Sequence, residues 1–510
     1  MWSPRILSFA SGFISLSLEI LWMRYAGFAY RGAPQAFSFV LGMYLLGIAA
    51  GAALGRRACQ TGGDLWTVGG KVLLIAGGLD LVLAWLATAG FAAGKLAGIA
   101  LLTMAVVVTA LLQSLVFPIA HHLGSSTAAG RVGSSVSKVY FANIAGSTLG
   151  PLVTGFVLLQ WLSLQQSLLL FAVAALSLGL FCLGRSGSLH PAWSGAALLA
   201  GLGLLLIPNA LLPALIAATA DAGHVGRLRF LIENRHGIVH SLGADDGDDI
   251  VFGGNAYDGR INIDLLTDSN GIARAYILAA LHGAPARVLV IGLSGGAWAQ
   301  VISGFGGVER MDIVEINPGY LELIRRYPTV APLLDDRRVT VHVDDGRRWL
   351  KRNPERQFDL IVMNTSNHWR AYTSLLLSQE FNRLVERHLS PGGIFAYNST
   401  FLWDAFNTTL TVFPYVYSFS NLVIASRHDL EGELAHTRER LAAIRVAGSP
   451  MVDPARREVA SKIDRMVAGM RRFDPTTNPA GRRLEVITDQ NMINEYKYGR
   501  TVDGFLRGGP

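Results

Sequence analysis

The first 207 residues contain seven apolar runs, each close to the roughly 20 residues needed to cross a bilayer. They lie near Ile6–Met23, Ala36–Leu54, Val72–Ala89, Leu96–Ile119, Val139–Trp161, Leu164–Leu183 and Ala192–Ile207. Backbone in hydrocarbon must satisfy its own hydrogen bonds, so runs of this kind can only be helices. A shorter run, Leu211–Ala218, comes after Pro208 and is interrupted by Pro213. It reads as part of an eighth crossing, a re-entrant piece or an interfacial helix. Residues 1–221 are therefore expected to form a transmembrane helical bundle of seven or eight spans, in a bacterial-type inner membrane. The lipid bilayer is its first expected partner.

Orientation pulls two ways. Arg56, Arg57, Lys71, Arg131, Lys138 and Arg185 fall in alternate loops, which the positive-inside rule puts in the cytoplasm with the N-terminus. Arg24, Arg31 and Lys95 then face out. Seven spans would carry the second half of the chain outside. An even span count returns it to the cytoplasm, and that is the expectation. Within the runs, Gly47, Gly51 and Gly55 recur every fourth residue, a pattern for close helix packing. Glu19 and Asp80 are costly in hydrocarbon and are expected to face the bundle interior or a cavity, either as a polar path or proton relay or as groups satisfied by their neighbours. His121 and His122 come just after a span end and read as interfacial.

Charged residues make up only 16% of the chain and crowd into its second half, and the net charge is +7. Much of the excess is C-terminal arginine: Arg456, Arg457, Arg471, Arg472, Arg482 and Arg483. No basic stripe with interleaved aromatics is present, so nucleic acid is not an expected partner, whereas a membrane-proximal surface suits the charge. The two cysteines, Cys59 and Cys182, give neither a disulfide framework nor zinc spacing, and no metal is expected.

From Arg227 the pattern becomes short β-like runs: Leu228–Glu233, Gly237–Leu242, Asp249–Phe252 and Arg260–Leu265. They define a small β-sheet domain over 222–284, ending in a helix over 270–283. Residues 285–425 read as an α/β Rossmann-like domain of the SAM-dependent methyltransferase type (SAM, S-adenosylmethionine). A buried strand, Val288–Ile291, runs into Gly292, Ser294, Gly295 and Gly296, a turn that brings backbone close to a ligand. The second strand, Met311–Ile316, carries Glu315 near its end, placed to accept from ribose hydroxyls. Strands Val339–Val343 and Phe358–Met363 lead into Asp344-Asp345-Gly346 and Asn364-Thr-Ser-Asn-His-Trp369. Polar groups after the C-terminal ends of such strands form one crevice. Residues 426–510 are expected to be a helical or lid region, with helices over 431–445 and 454–472.

These residues resemble a known family. Glu233-Asn-Arg-His-Gly237, Tyr257-Asp258-Gly259, the glycine turn, Val314-Glu315-Ile316-Asn317, Asp344-Asp345-Gly346-Arg347, Ser366-Asn367-His368-Trp369, Leu377-Ser-Gln-Glu-Phe381 and Leu389-Ser-Pro-Gly-Gly393 together resemble the spermidine synthases, or polyamine aminopropyltransferases. The likeness covers roughly 227–400, with a weaker echo from Thr488-Asp489 to Glu495, and is to the branch in which the domain comes after a transmembrane bundle. The resemblance implies a crevice for decarboxylated SAM, amine attack on the propyl carbon beside the sulfonium, and release of methylthioadenosine (MTA). It implies ribose binding by Glu315, adenine binding by Asp345, and Gly292 and Gly296 on the sulfur side. It also allows a homo-oligomer.

The chain departs from that family at telling places. The propyl-amine aspartate of the turn is replaced by Gly295, and the two aspartates after the fourth strand by Asn364 and Asn367. The family's Tyr-His pair gives way to apolar residues near Ile272 and Ala273. An amide cannot accept a proton at neutral pH, and general-base help is worth ~10²–10⁴-fold. The propyl side is thus expected to lack a base. A nucleophile needing no deprotonation fits: the carboxylate of intact SAM could close a homoserine-type lactone and expel MTA, aided by high effective molarity. Asn364, Asn367, His368 and Arg370 are the expected catalytic loop, with Trp369, Tyr372, Asp264 and Asp268 lining the substrate pocket. The alternatives are aminopropyl or aminocarboxypropyl transfer to an external amine, with a base from Asp264, Asp268 or Glu380, and a non-catalytic nucleoside sensor of a transport bundle.

Overall fold

The structure, a computed structural model, describes residues 3–125, 132–191, 194–195, 199, 201, 203, 206–220, 226–245, 247–364, 367–446 and 448–499. The chain divides into two compact units, one of residues 1–30, 35–222 and 233–235, the other of the remainder.

In the first unit, among the described residues, six helices are long and apolar enough to cross a membrane: Ser3–Ala29, Gln35–Gln60, Leu65–Ala93, Lys95–Gly124, Gly133–Trp161 and Leu164–Ser186. They coincide with the first six apolar runs. Much of the seventh expected run, 192–207, lies outside the described residues. The residues flanking it are informative. The helices Leu65–Ala93 and Leu164–Ser186 run antiparallel, Gly70 meeting Leu183 and Gly77 meeting Leu176. Thr67 and Ser163 therefore mark opposite ends of the bundle. Ser188 bonds to Thr67 at 2.9 Å, whereas Asn209 bonds to Ser163 at 3.0 Å. Between Ser188 and Asn209 the chain has changed ends. The next helix, Leu211–Thr219, has 9 residues. At 1.5 Å per residue it is about 13 Å long, too short for a core of about 30 Å, so it makes no eighth crossing. Among the described residues, no further helix is long enough to complete the even count expected from the sequence. At Asn209 the bundle's chain stands at the end opposite Arg56, Arg57, Lys71 and Arg185.

The glycine repeat packs as its spacing suggests. A Cβ on Gly47 would lie 2.6 Å from both Ala110 Cβ and the Val107 carbonyl oxygen, and Gly51 and Gly55 press on the carbonyls of Leu111 and Leu115. Glu19 and Asp80 are buried, at 8% and 1% exposure. Asp80 accepts from Gln113 at 3.3 Å.

The second unit opens with an antiparallel sheet of β1 (Arg227–Asn234), β2 (Gly237–Gly243), β3 (Ile250–Gly253) and β4 (Ala256–Arg260), in that order. The fourth strand lies earlier than the expected 260–265. Gly254 and Asn255 hold φ of +55° and +66°, a two-residue hairpin turn that starts the return strand at Ala256. The helix expected over 270–283 spans Ala273–Leu281, because Asp268 accepts the Ala273 N–H at 3.0 Å and fixes its start.

The main sheet contains β5 (Arg287–Ile291), β6 (Arg310–Glu315), β7 (Val339–Val343), β8 (Phe358–Met363), β9 (Leu389–Asn398), β10 (Tyr415–Phe419) and β11 (Leu422–Ser426). Its order is β10-β11-β9-β8-β5-β6-β7, with Arg471–Arg472 beside β10. Strands β5 to β9 run parallel; β10 and β11 are antiparallel. Both faces are covered, one by a core including Tyr276, Trp298 and Ile302, the other by Trp349, Phe381 and Phe406. That is why the central strands are continuous apolar runs. The 431–445 stretch is a 3-10 turn (Glu431–His436) and then a short helix, Thr437–Ala442. Helix Arg457–Gly469 buries Val459, Ile463 and Met466 in the first of those cores, so it is a packed element.

One buried charge holds the β6–β7 edge. Asp312, 1% exposed, accepts from Arg310 at 3.0 Å, Arg356 at 3.0 Å and His342 at 2.7 Å. Asp312→Ala should cost about 1–3 kcal/mol, the arginines being partly solvated. Urea unfolding that shows no shift would contradict this account of the edge.

Candidate active site

The strand order reverses around β5, whose parallel neighbours are β6 on one side and β8 on the other. At such a switch point the loops diverge and leave a crevice at the C-terminal strand ends. The turn after β5 is built for close approach. Gly292 has φ of +81°, and a Cβ there would lie 2.7 Å from the Asn364 carbonyl oxygen. Only glycine lets the ends of β5 and β8 come this near. A cleft of about 270 Å³ opens here. Its lining includes Gly292, Ser294, Glu315, Asp344, Asp345, Gly346, Asn364 and Arg370, all expected from the sequence.

Glu315 is held rigidly. Its Oε2 accepts the Leu293 N–H at 2.7 Å, and its Oε1 accepts the Asn317 N–H at 2.8 Å. A carboxylate has about four acceptor sites, so capacity remains beyond these donors for a ribose hydroxyl. Burial pushes its pKa up to about 7, against the pull of those N–H groups. Asp345 caps the helix Gly346–Arg352, accepting the Arg348 N–H at 2.7 Å. Asp344 accepts the Asp345 N–H at 2.7 Å and pairs with Arg348. Burial opposes ionisation of Asp344, but Arg348, the Asp345 N–H and Arg352 together hold its pKa below the usual range.

The other expected residues lie elsewhere. Gly295 packs beneath the small sheet, where a Cβ would come 2.7 Å from Ile261, and Gly296 packs against Ile324. Asp264 is used by the Leu266 and Thr267 N–H groups, at 2.8 and 2.7 Å. Asp268 pairs with Lys462 at 2.5 Å. The His368 ring turns to Thr400 at 2.8 Å, and burial lowers its pKa. Trp369 is buried at 7% exposure, and Tyr372 is 74% exposed, outside the cleft lining. Asn367 does not line the cleft; its carbonyl accepts the Arg370 N–H at 3.1 Å. Ser366 lies outside the described residues. Glu380, another base considered, accepts the Asp489 N–H at 3.2 Å. These groups are committed to caps, turns and ion pairs, which residue type and spacing do not reveal.

The lining also includes Asp258 from β4 and Tyr320 from the helix Gly319–Ile324, neither of which the sequence assigned a role. Tyr320 donates to the Asp258 carboxylate, and Ser294 Oγ donates to the Asp258 carbonyl. The cleft therefore holds a carboxylate in addition to Glu315, Asp344 and Asp345. Burial raises the Asp258 pKa to about 6, while Tyr320 and Arg370 restrain the rise.

The loop after β8 is braced by the C-terminal tail. Glu495, 1% exposed, accepts the N–H groups of Tyr372 and Ser374 at 3.0 and 2.9 Å. Asn494 donates to the His368 carbonyl at 2.6 Å, and Arg347 pairs with Asp489 at 2.6 Å. Glu495→Ala should free the segment that carries Arg370, seen as faster amide exchange over 367–376. Unchanged exchange would show that the brace is dispensable.

Residues 275–412 match the spermine/spermidine synthase domain. Among relatives, a polyamine aminopropyltransferase 2 of Streptomyces coelicolor is 29% identical over 284 residues, 51% of this chain and 48% of the relative. A polyamine aminopropyltransferase of Streptococcus pneumoniae is 38% identical over 119 residues, 23% of this chain and 41% of the relative. The chain thus spans about half the length, or less, of these curated relatives. Among solved structures, the spermidine synthase of Thermotoga maritima aligns with a TM-score of 0.37 and 17% identity, covering 47% of this chain and 88% of that one. A spermidine synthase in complex with the transition state analogue AdoDATO gives 0.38 and 17%, covering 48% and 88%. The matched segment contains the glycine turn, Glu315, the Asp344-Asp345 pair and Asn364; Asp258 precedes it.

Proposed function

We propose that the cleft binds an adenosyl sulfonium, SAM or its decarboxylated form, as substrate. It breaks the bond between sulfur and the propyl carbon, releases MTA and passes the propyl-derived group to an amine. The observation that carries this reading is Glu315, fixed through both oxygens by N–H donors, in one cleft with Gly292 and Asn364. A diol acceptor, a close-approach glycine turn and the Asp344-Asp345 pair meet at a strand switch point, and the names of the relatives point to aminopropyl transfer. The chain's own residues orient the donor; no metal is needed, because sulfur leaves as a neutral thioether.

A second reading is closure of intact SAM on its own carboxylate. It is favoured by the amide of Asn364 and the cation of Arg370 in the same cleft. The test is to incubate the purified chain with SAM or decarboxylated SAM, with and without putrescine, and to identify products by mass spectrometry. MTA that requires both decarboxylated donor and amine supports transfer. MTA with a lactone from SAM alone supports self-attack. Tight nucleoside binding with no MTA from any mixture would leave only the sensor role.

Such donors are made inside cells, so this reading puts the cleft in the cytoplasm. A cysteine at exposed Glu431, in a chain lacking Cys59 and Cys182, should resist an impermeant thiol reagent until cells are opened. Labelling of intact cells would place the cleft outside, as the basic-loop count of a seven-pass bundle would have it.

A further inference from the structure

We propose that Asp258 is the catalytic base of this cleft, receiving the proton that an attacking primary amine must lose and replacing the carboxylate absent at Asn364. The inference rests on the transfer reading above.

Geometry carries it. Asp258 comes from β4 of the small sheet, yet it lines the cleft together with Gly292 and Asn364. Its backbone is tied to the turn after β5 by the hydroxyl of Ser294. Its carboxylate is oriented by the hydroxyl of Tyr320, itself 7% exposed. Asp258 lines the cleft and keeps part of its residue surface exposed, while its carboxyl is buried enough to raise its pKa. By contrast, Asp264, Asp268 and Glu380 do not line the cleft and are each committed to other partners. A carboxylate held this way is a hydrogen-bond acceptor in the cleft that the turn after β5 helps to line. The other titratable or charged groups facing the cleft are His236, Glu315, Tyr320, Asp344, Asp345 and Arg370. Tyr257 and Arg260 flank Asp258 on its own strand.

The step balances. The ammonium of the acceptor gives one proton to the Asp258 carboxylate and becomes a neutral amine. Its lone pair forms the nitrogen–carbon bond as the carbon–sulfur bond breaks, and that electron pair stays on sulfur as MTA. The product leaves as a secondary ammonium, and Asp258 returns its proton to water. The carboxylate must be ionised to accept, so turnover is present above its pKa and lost as pH falls through it. With burial raising that pKa to about 6, the acid limb should lie near pH 6. Glu315 titrates in a neighbouring range, but as a donor ligand it acts on KM rather than on kcat.

The test uses the full-length chain in detergent, with decarboxylated SAM and putrescine as substrates and MTA binding as the check on folding. Asp258→Asn should lower kcat by about 10²–10⁴-fold and abolish the acid limb, with MTA affinity kept within threefold. Asp258→Glu should retain part of the rate and the limb. In Asp258→Asn/Asn364→Asp, the carboxylate restored at the end of β8 should recover at least tenfold. Tyr320→Phe should shift the limb without abolishing turnover. The proposal is overturned if Asp258→Asn keeps kcat within threefold, or if its acid limb is unchanged. It is also overturned if the wild-type chain makes MTA from SAM without any amine, since self-attack needs no base. A wild-type chain that makes no MTA from any mixture refutes the transfer reading itself, and the two failures are thereby told apart.

Discussion

Glu315→Gln is expected to weaken MTA binding by about 30-fold or more. Both carboxylate oxygens already face N–H donors, Leu293 at 2.7 Å and Asn317 at 2.8 Å. An amide must turn its NH₂ toward one of them, so a buried donor faces a donor and loses its acceptor. It also removes the charge from the hydrogen bonds a ribose diol would make. Each loss is worth about 1–3 kcal/mol, and about 1.4 kcal/mol is tenfold in affinity. The wild-type site should bind MTA less well as pH falls through about 7, because protonation costs the same acceptor capacity. Isothermal titration of MTA from pH 6 to 8.5 reads both effects. Wild-type affinity in the Gln variant would mean that ribose lies elsewhere and that the nucleoside pose is wrong.

The second large effect is expected in the bundle. A Cβ on Gly51 would fall on the Leu111 carbonyl oxygen, a backbone atom that cannot swing aside. Gly51→Leu must push the helices Gln35–Gln60 and Lys95–Gly124 apart, and overpacking of this kind costs up to about 3 kcal/mol. Gly42, on the same helix, has nothing within 4 Å, so Gly42→Leu is the matched control. Thermal unfolding in detergent should separate the two variants clearly. Equal stability would mean that these helices do not meet along the glycine face.

Much of this architecture is legible in the residues. The apolar runs are long enough to have no other fate than helix. The parallel strands, buried on both faces, stand out as unbroken Val, Ile and Leu. Gly292 and Glu315 could be placed at the cleft because the C-terminal end of a buried strand sets the position of the next few residues. The same logic failed for Asp264, Asp268 and His368. Their side chains can serve a cap or an ion pair as well as a substrate, and which they serve depends on neighbours as distant as Lys462 and Thr400.

The sequence by itself determined the membrane-length helices, the doubly wound core and the chemistry of the strand ends, because each arises from local periodicity and hydrogen-bonding capacity. Only the tertiary structure decided that Asn209 stands across the bundle from Ser188, and that Asp258 reaches the cleft from another sheet. Those facts rest on contacts between segments far apart in the chain. No spacing rule encodes them, since packing can join any two surfaces that bury apolar area and satisfy each other's polar groups.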